Sequence, residues 1–161
     1  MNIDSHECVV SRAPFTVRRR VRWSDCDPAG VVYTGRFSEY VLSFVNLFHA
    51  ELAQPLTYRE WCGQMGVDTP CKAMALEFHR ALWPDEEFYL RCHVPAVREH
   101  SYDLVIEAAL EDGTRVFSAR FSPICIARGV RQRVAIPPTY RSALVLHAAQ
   151  PSRFDGGTPA A

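Results

Sequence analysis

Over residues 35–50 the chain places Phe37, Tyr40, Val41, Phe44, Val45 and Phe48 at i, i+3, i+4, i+7, i+8 and i+11. This is a single broad apolar stripe at the helical period. Leu42 and Leu47 widen it, so the helix is apolar on most of its circumference. Such a helix cannot lie at the periphery of a soluble domain. It must be a central element, and the rest of the chain must supply the sheet that covers it. Thr34 is the expected N-cap.

The remaining segments read as strands and one short helix. Residues 15–23 alternate, with Phe15, Val17, Val21 and Trp23 on one face and Thr16, Arg18, Arg20 and Arg22 on the other. Arg19 is the one break on the apolar face. Four arginines within five positions invite a phosphate-binding reading, but a solvated strand face explains them more simply. After Pro55, Thr57 caps a short helix that reaches Met65 and ends at Gly66. Alternating strands follow over 73–79, 88–94, 102–108 and 115–127, the last entered through the hairpin signal Asp112-Gly113. Short turns between successive strands imply antiparallel neighbours. The expectation is a single α+β domain over residues 14–140. A loose lead-in over 1–13 precedes it and a tail over 141–161, partly disordered, follows it.

Composition narrows the function. In 161 residues, eighteen basic side chains balance eighteen acidic ones. No global field favours nucleic acid or a membrane surface, so an anionic ligand must be held locally. No segment has the apolar length to span a bilayer. Six scattered cysteines without a C-x-x-C pair, and no export signal, imply reduced thiols, a cytoplasmic location and no metal site.

Chemistry concentrates in Trp23-Ser24-Asp25-Cys26-Asp27-Pro28-Ala29-Gly30-Val31-Val32-Tyr33, between the first strand and the long helix. Pro28 fixes one φ and Gly30 frees another, which makes a turn. Asp25 and Asp27 flank Cys26 and project to one side of an extended backbone. A carboxylate there can act as nucleophile or general base. The helix-start N–H groups at about 34–37 can hold an oxyanion. On spacing alone, two Asx-turn aspartates at a strand end account for the same residues.

The run Arg22-Trp23-Ser24-Asp25-Cys26-Asp27-Pro28-Ala29-Gly30-Val31-Val32-Tyr33 resembles the N-terminal signature of the 4-hydroxybenzoyl-CoA thioesterase family, of hotdog fold. The similarity extends over about residues 14–140 through the strand order, the Pro84-Asp85-Glu86 turn and Ile136-Pro137. It implies a long helix wrapped by a curved five-stranded antiparallel sheet, and an acyl-CoA thioesterase that needs no cofactor, CoA being part of the substrate. The resemblance makes Asp27 the catalytic carboxylate and the Thr34 backbone N–H the donor to the thioester carbonyl. Asp25 and Gly30 support the turn. Subunits of the family pair into a continuous sheet, as homodimers or as homotetramers built from two dimers.

For the acyl pocket the expected residues are Tyr33, Tyr40, Leu42 and Phe44. Leu42 stands where a polar group would read a ring hydroxyl, so an acyl group more apolar than 4-hydroxybenzoyl is expected. Two departures from the family pattern stand out: Thr34 replaces a frequent Tyr or His, and the Arg-rich run that grips CoA phosphates is reduced to Arg98, with His100 nearby and Glu99 opposing. The alternative on the same fold is a non-catalytic acyl-CoA sensor. A hydratase is disfavoured, since no His lies in residues 24–48.

Overall fold

The stripe is buried along its whole length in the computed structural model, which describes residues 5–148. Helix α1 (Arg36–Ala53) buries Phe37, Tyr40, Val41, Phe44, Val45 and Phe48, together with His49 and Ala53. It runs three residues beyond the expected end and stops at Gln54, where Pro55 disfavours helical backbone. Thr34 does not cap it. The N-cap is Gly35, without a side-chain cap, and the Arg36 and Phe37 amides turn back to the carbonyls of Tyr33 (2.8 Å) and Thr34 (3.3 Å).

The covering sheet has six antiparallel strands: β1 (Glu7–Arg12), β2 (Phe15–Arg20), β4 (Cys71–Phe78), β5 (Glu87–Val97), β6 (Tyr102–Ala109) and β7 (Arg115–Pro123). Their order is β1-β2-β5-β6-β7-β4. A second, two-stranded piece pairs β3 (Val67–Asp68) with β8 (Ile126–Ala127). The inner face presents Phe15, Phe88, Leu90, Leu104, Ile106 and Phe117 to α1. Phe15 meets Phe44 and Phe48 edge-on at 5.5 and 5.4 Å. Truncating one of these rings to Ala leaves a cavity of the kind that costs about 3–5 kcal/mol.

Four expectations are corrected. Glu7–Arg12 is not a loose lead-in but the sixth strand, paired with β2 from Glu7 opposite Arg19 to Arg12 opposite Phe15. Its register slips between Val9 and Ser11, which removes the period-2 signal by which strands are read. The first strand ends at Arg20, not Trp23, whose ring is 73% exposed. Strand β4 does not pair with β5 but crosses to the far side of the sheet and pairs with β7. The connection is too long for a tight hairpin, and β5 has both edges taken by β2 and β6. Finally, residue 140 is no boundary, because α3 (Pro138–Val145) runs through it and buries Tyr140 and Leu144. The stretch 149–161, including the tail expected to be disordered, lies outside the described residues.

The short helix and the hairpin follow local chemistry as read. In α2 (Tyr58–Met65) Thr57 and Glu60 form a reciprocal capping box, and Gly66 ends the helix at φ +67°. Gly113 takes φ +86° in the turn between β6 and β7.

The C-terminal end of α1 is fastened by a buried chain of hydroxyls. His49 Nε2 lies 2.6 Å from Tyr102 Oη, which is 2.6 Å from Tyr140 Oη, itself 2.8 Å from Tyr58 Oη. Tyr58 in turn bonds Thr69. Complete burial pulls the His49 pKa from 6.5 down to about 3, so the folded protein holds it neutral. The unfolded chain takes up that proton below pH 6.5. Stability from this residue is therefore full above that value and is lost as pH falls toward 3, with a slope of up to about 1.4 kcal/mol per pH unit. Thermal melts from pH 7 to pH 4 should show a shallower acid decline in His49→Gln than in the wild type; an unchanged slope would contradict this.

Candidate active site

The stretch between β2 and α1 folds as a small closed hairpin. A single 3₁₀ turn over Trp23–Asp25 opens it. Asp25 makes that turn: its amide donates to the Arg22 carbonyl (2.9 Å), and its Oδ2 accepts the Arg22 amide (3.2 Å). The two arms are then tied across. Tyr33 N donates to Asp25 O (2.9 Å), Cys26 bridges Val32, and Asp27 N donates to Val31 O (3.0 Å). At the tip, Gly30 N closes onto Asp27 O (2.9 Å) with Gly30 at φ +80°. This is a left-handed position where a side chain would be strained.

The two aspartates are alike in sequence and opposite in surroundings. Asp25 is 5% exposed and accepts the Tyr40 hydroxyl at 2.9 Å. Arg36 Nε stands 3.9 Å from its other oxygen. Asp27 is half-exposed at the tip, and its Oδ1 accepts the Ala29 amide (2.8 Å) in an Asx-turn. Between them, burial and then the charges of Asp25, Asp27 and Asp85 push the Cys26 thiol up. Both effects disfavour the thiolate, which is the nucleophilic form of a cysteine.

Beyond the hairpin the chain enters α1 with donors to spare. The Arg36 and Phe37 amides are used by the tight first turn, but among the described residues no acceptor meets the amides of Thr34 and Gly35. The donor set expected over 34–37 is thus narrowed to its first two members. Helix starts of this kind favour developing negative charge.

Beside these amides opens a cleft of about 350 Å³. Val31, Val32 and Thr34 supply one wall, Phe37 the base, Phe78 the end of β4, and His79, Arg80 and Ala81 the start of the crossover. Phe37 and Phe78 touch edge-on at 5.1 Å. The crossover over 79–86 is pinned to the hairpin by Val32 N to Leu82 O (2.9 Å) and to the residue after β2 by Asp85 N to Val21 O (3.0 Å). Arg80 is neutralised by Glu86 (3.2 Å) and lies over the Trp83 ring. His79 turns its Nε2 toward Ser118 Oγ at 3.2 Å. A hollow of about 400 Å³ between Glu77, Glu107 and Arg120 lies on the face of the sheet turned away from α1. The smaller cleft, on the other side of the end of β4, is the one lined by Thr34 at the helix start.

The other expected site residues lie elsewhere. Tyr33 is exposed next to the cleft. Tyr40 and Phe44 are sealed in the core, and Leu42 faces outward on α1, so these residues do not form one pocket. Arg98 and His100 follow the far end of β5, about 30 Å along the strand from the hairpin by the usual rise per residue. Arg98 is held by Asp103 through two hydrogen bonds of 2.9 and 2.7 Å, and His100 Nε2 lies 3.5 Å from Glu99. Residues 78–81 carried no sequence signal as site residues, because only the crossing of β4 brings them to the helix start. Phe37 stood in the apolar stripe and read as core. Among the described residues, no three His, Cys, Asp or Glu side chains gather as a metal site, and no helix is long and apolar enough to cross a membrane.

A long apolar helix wrapped by an antiparallel sheet is the hotdog architecture, and here a D-x-D-P-x-G turn stands at the helix start. The sequence profile of the thioesterase-like superfamily matches residues 21–144, and the chain belongs to that superfamily. Slr0204, a 1,4-dihydroxy-2-naphthoyl-CoA thioesterase from Synechocystis, superposes with a TM-score of 0.71 at 20% identity, covering 81% of this chain and 95% of its own. BH1999, a gentisyl-coenzyme A thioesterase, gives 0.68 at 18% identity, covering 80% and 98%. SAV2348 from Staphylococcus aureus, solved in complex with CoA, gives 0.75 at 15% identity, covering 83% and 82%. At these identities the likeness is one of fold. No curated protein sequence matches the chain.

Arg98 also leads to a measurable effect on stability. Its hydrogen bonds to Asp103, aided by Ser122 and the Arg120 charge against the cost of burial, hold that carboxyl down to about 2 from an ordinary 3.8. A depressed carboxylate stabilises the fold above its unfolded pKa and ceases to do so as pH falls through the folded one. The melting temperature of Asp103→Asn should thus vary less than that of the wild type between about pH 4 and pH 2. An identical pH dependence in the two proteins would refute the assignment.

Proposed function

We propose that the protein hydrolyses an acyl-CoA thioester, with Asp27 as general base or nucleophile and the Thr34 backbone N–H as oxyanion donor. One observation carries the reading. The half-exposed Asp27 and the unused Thr34 amide stand on a single hydrogen-bonded hairpin, and the returning arm of that hairpin lines the apolar cleft. As general base, Asp27 takes a proton from water as the oxygen attacks the thioester carbon. The tetrahedral oxyanion forms against the helix-start amide. Collapse expels the CoA thiolate, which receives the proton back. As nucleophile, Asp27 displaces the thiolate itself to form an anhydride that water opens. The walls Val31, Val32, Phe37 and Phe78 suit an apolar acyl group, aliphatic or aromatic, and the Arg80–Glu86 pair leaves the rim without net charge.

Hydrolysis is tested by free-thiol release over a panel of acyl-CoAs. Asp27→Asn should lower turnover by about two to four powers of ten, the range for a lost acid–base group. Full activity in that variant would remove Asp27 from the chemistry. Ligand-dependent stabilisation without thiol release from the wild type would make the protein an acyl-CoA sensor.

The protein acts as a dimer or a dimer of dimers. Strand β4 is an eight-residue sheet edge with seven residues exposed, among them Met74 and Phe78, and it contains no Pro. Natural proteins seldom leave such an edge open to water. Sedimentation at micromolar concentration should give twice the chain mass or more, and a fully active monomer would overturn this.

A further inference from the structure

We infer that Tyr40 is a positioning residue for the reactive hairpin, acting through Asp25; this rests on the reading of Asp27 as the reactive carboxylate. Asp25 is the knot of the hairpin. Its side chain holds the Arg22 amide on the incoming side, and its carbonyl holds the Tyr33 amide on the outgoing side. Asp27 follows it by two residues, and Thr34 follows Tyr33 directly. The reactive carboxylate and the oxyanion donor therefore hang from opposite sides of one residue, and Tyr40 Oη fixes its carboxylate from behind at 2.9 Å.

The apolar stripe alone gives no reason for a phenol at this position. Tyr40 is 1% exposed and packs against Phe37 at 5.9 Å and Phe88 at 5.4 Å, a space that a Phe ring would fill. What the hydroxyl adds is a partner for a buried carboxylate, which would otherwise be left short of hydrogen bonds in a poorly solvated site.

Arg19, the break in the inner face of β2, also belongs to this arrangement. Its guanidinium lies over the Tyr40 ring, 4.3 Å from the centroid, and is 7% exposed. Nη1 donates to Glu7 Oε1 at 2.7 Å, Glu7 Oε2 accepts the Ser43 hydroxyl at 2.5 Å, and Arg19 Nε has no partner. A buried cation with one donor unmet is costly. Here it caps the ring of the residue that orients Asp25 and anchors that ring to the edge strand β1. The line from Glu7 through Arg19 and Tyr40 to Asp25 thus reaches from the sheet edge to the reactive turn.

The test is Tyr40→Phe, which keeps the ring under Arg19 and removes only the hydroxyl. Displacing a reacting group slightly should lower kcat by about ten- to a hundredfold with KM nearly unchanged. Combined with Asp25→Asn, the loss should be smaller than the product of the two single losses, because the two groups act as one unit. Tyr58→Phe, which removes a buried phenol at the other end of α1, should leave kcat as in the wild type. Hydrogen exchange at the Asp27, Gly30 and Tyr33 amides should quicken about tenfold or more in Tyr40→Phe, while amides of β6 keep their protection. Wild-type kcat with unchanged protection of those three amides would overturn the inference. So would a kcat loss matched by Tyr58→Phe, which marks a general structural effect. Should the wild type cleave no acyl-CoA, the hydrolase reading fails separately, and the amide protection still decides what Tyr40 does.

Discussion

A helix carrying Phe37, Tyr40, Phe44 and Phe48 on one stripe has to be enclosed, and the enclosure sets the geometry of everything else. Six strands close over it, and the inner face of the sheet is given up to Phe15, Phe88, Leu104, Ile106 and Phe117. The striped side of the helix is thereby closed to a ligand, and what stays exposed is its outer face of Glu39, Leu42, Asn46 and Ala50 and the residues at its start. There the tight turn at Arg36 and Phe37 consumes two amides, and among the described residues those of Thr34 and Gly35 meet no acceptor. The apolar burial that stabilises the fold thus also presents a pair of polar donors at the edge of the core, where an oxyanion can use them.

Charge is handled on the same plan. Asp25 and Asp27 are two residues apart, yet one is buried and paired while the other stands at the tip of the hairpin. A buried carboxylate must be matched, and Asp25 is matched by the Tyr40 hydroxyl, by a backbone amide and at longer range by Arg36. Matching makes it rigid and unsuited to attack. Asp27, with one oxygen held in an Asx-turn, is oriented without being enclosed. Burial and hydrogen bonding thus give two neighbouring carboxylates different surroundings, Asp25 sealed and paired, Asp27 partly open to solvent.

Several features of the chain were legible because they are local. The period of α1, the Thr57–Glu60 capping box, the Asp112-Gly113 turn and the Pro28–Gly30 turn each depend on a handful of adjacent residues and their own backbone preferences. Strand β1 carries no such signal, because its bulge and exposed faces erase alternation. The partner of β4 is not a local property, because an edge is chosen by which strands already have neighbours. Residues 78–81 of the cleft depend on that choice, and the Arg98–Asp103 pair depends on the turn between β5 and β6.

The sequence by itself determined that a central apolar helix would be wrapped by an antiparallel sheet, and that a D-x-D-P-x-G turn would stand at its start. Hydrophobic period and turn chemistry act within a few residues and need no knowledge of the rest. Only the tertiary structure decided which aspartate is sealed and which is partly exposed, that Phe78 and Arg80 come to line one cleft with Thr34, and that Tyr40, lying under Arg19, reaches Asp25. Those outcomes depend on contacts between residues far apart in the chain, and such contacts exist only once the sheet has closed around the helix.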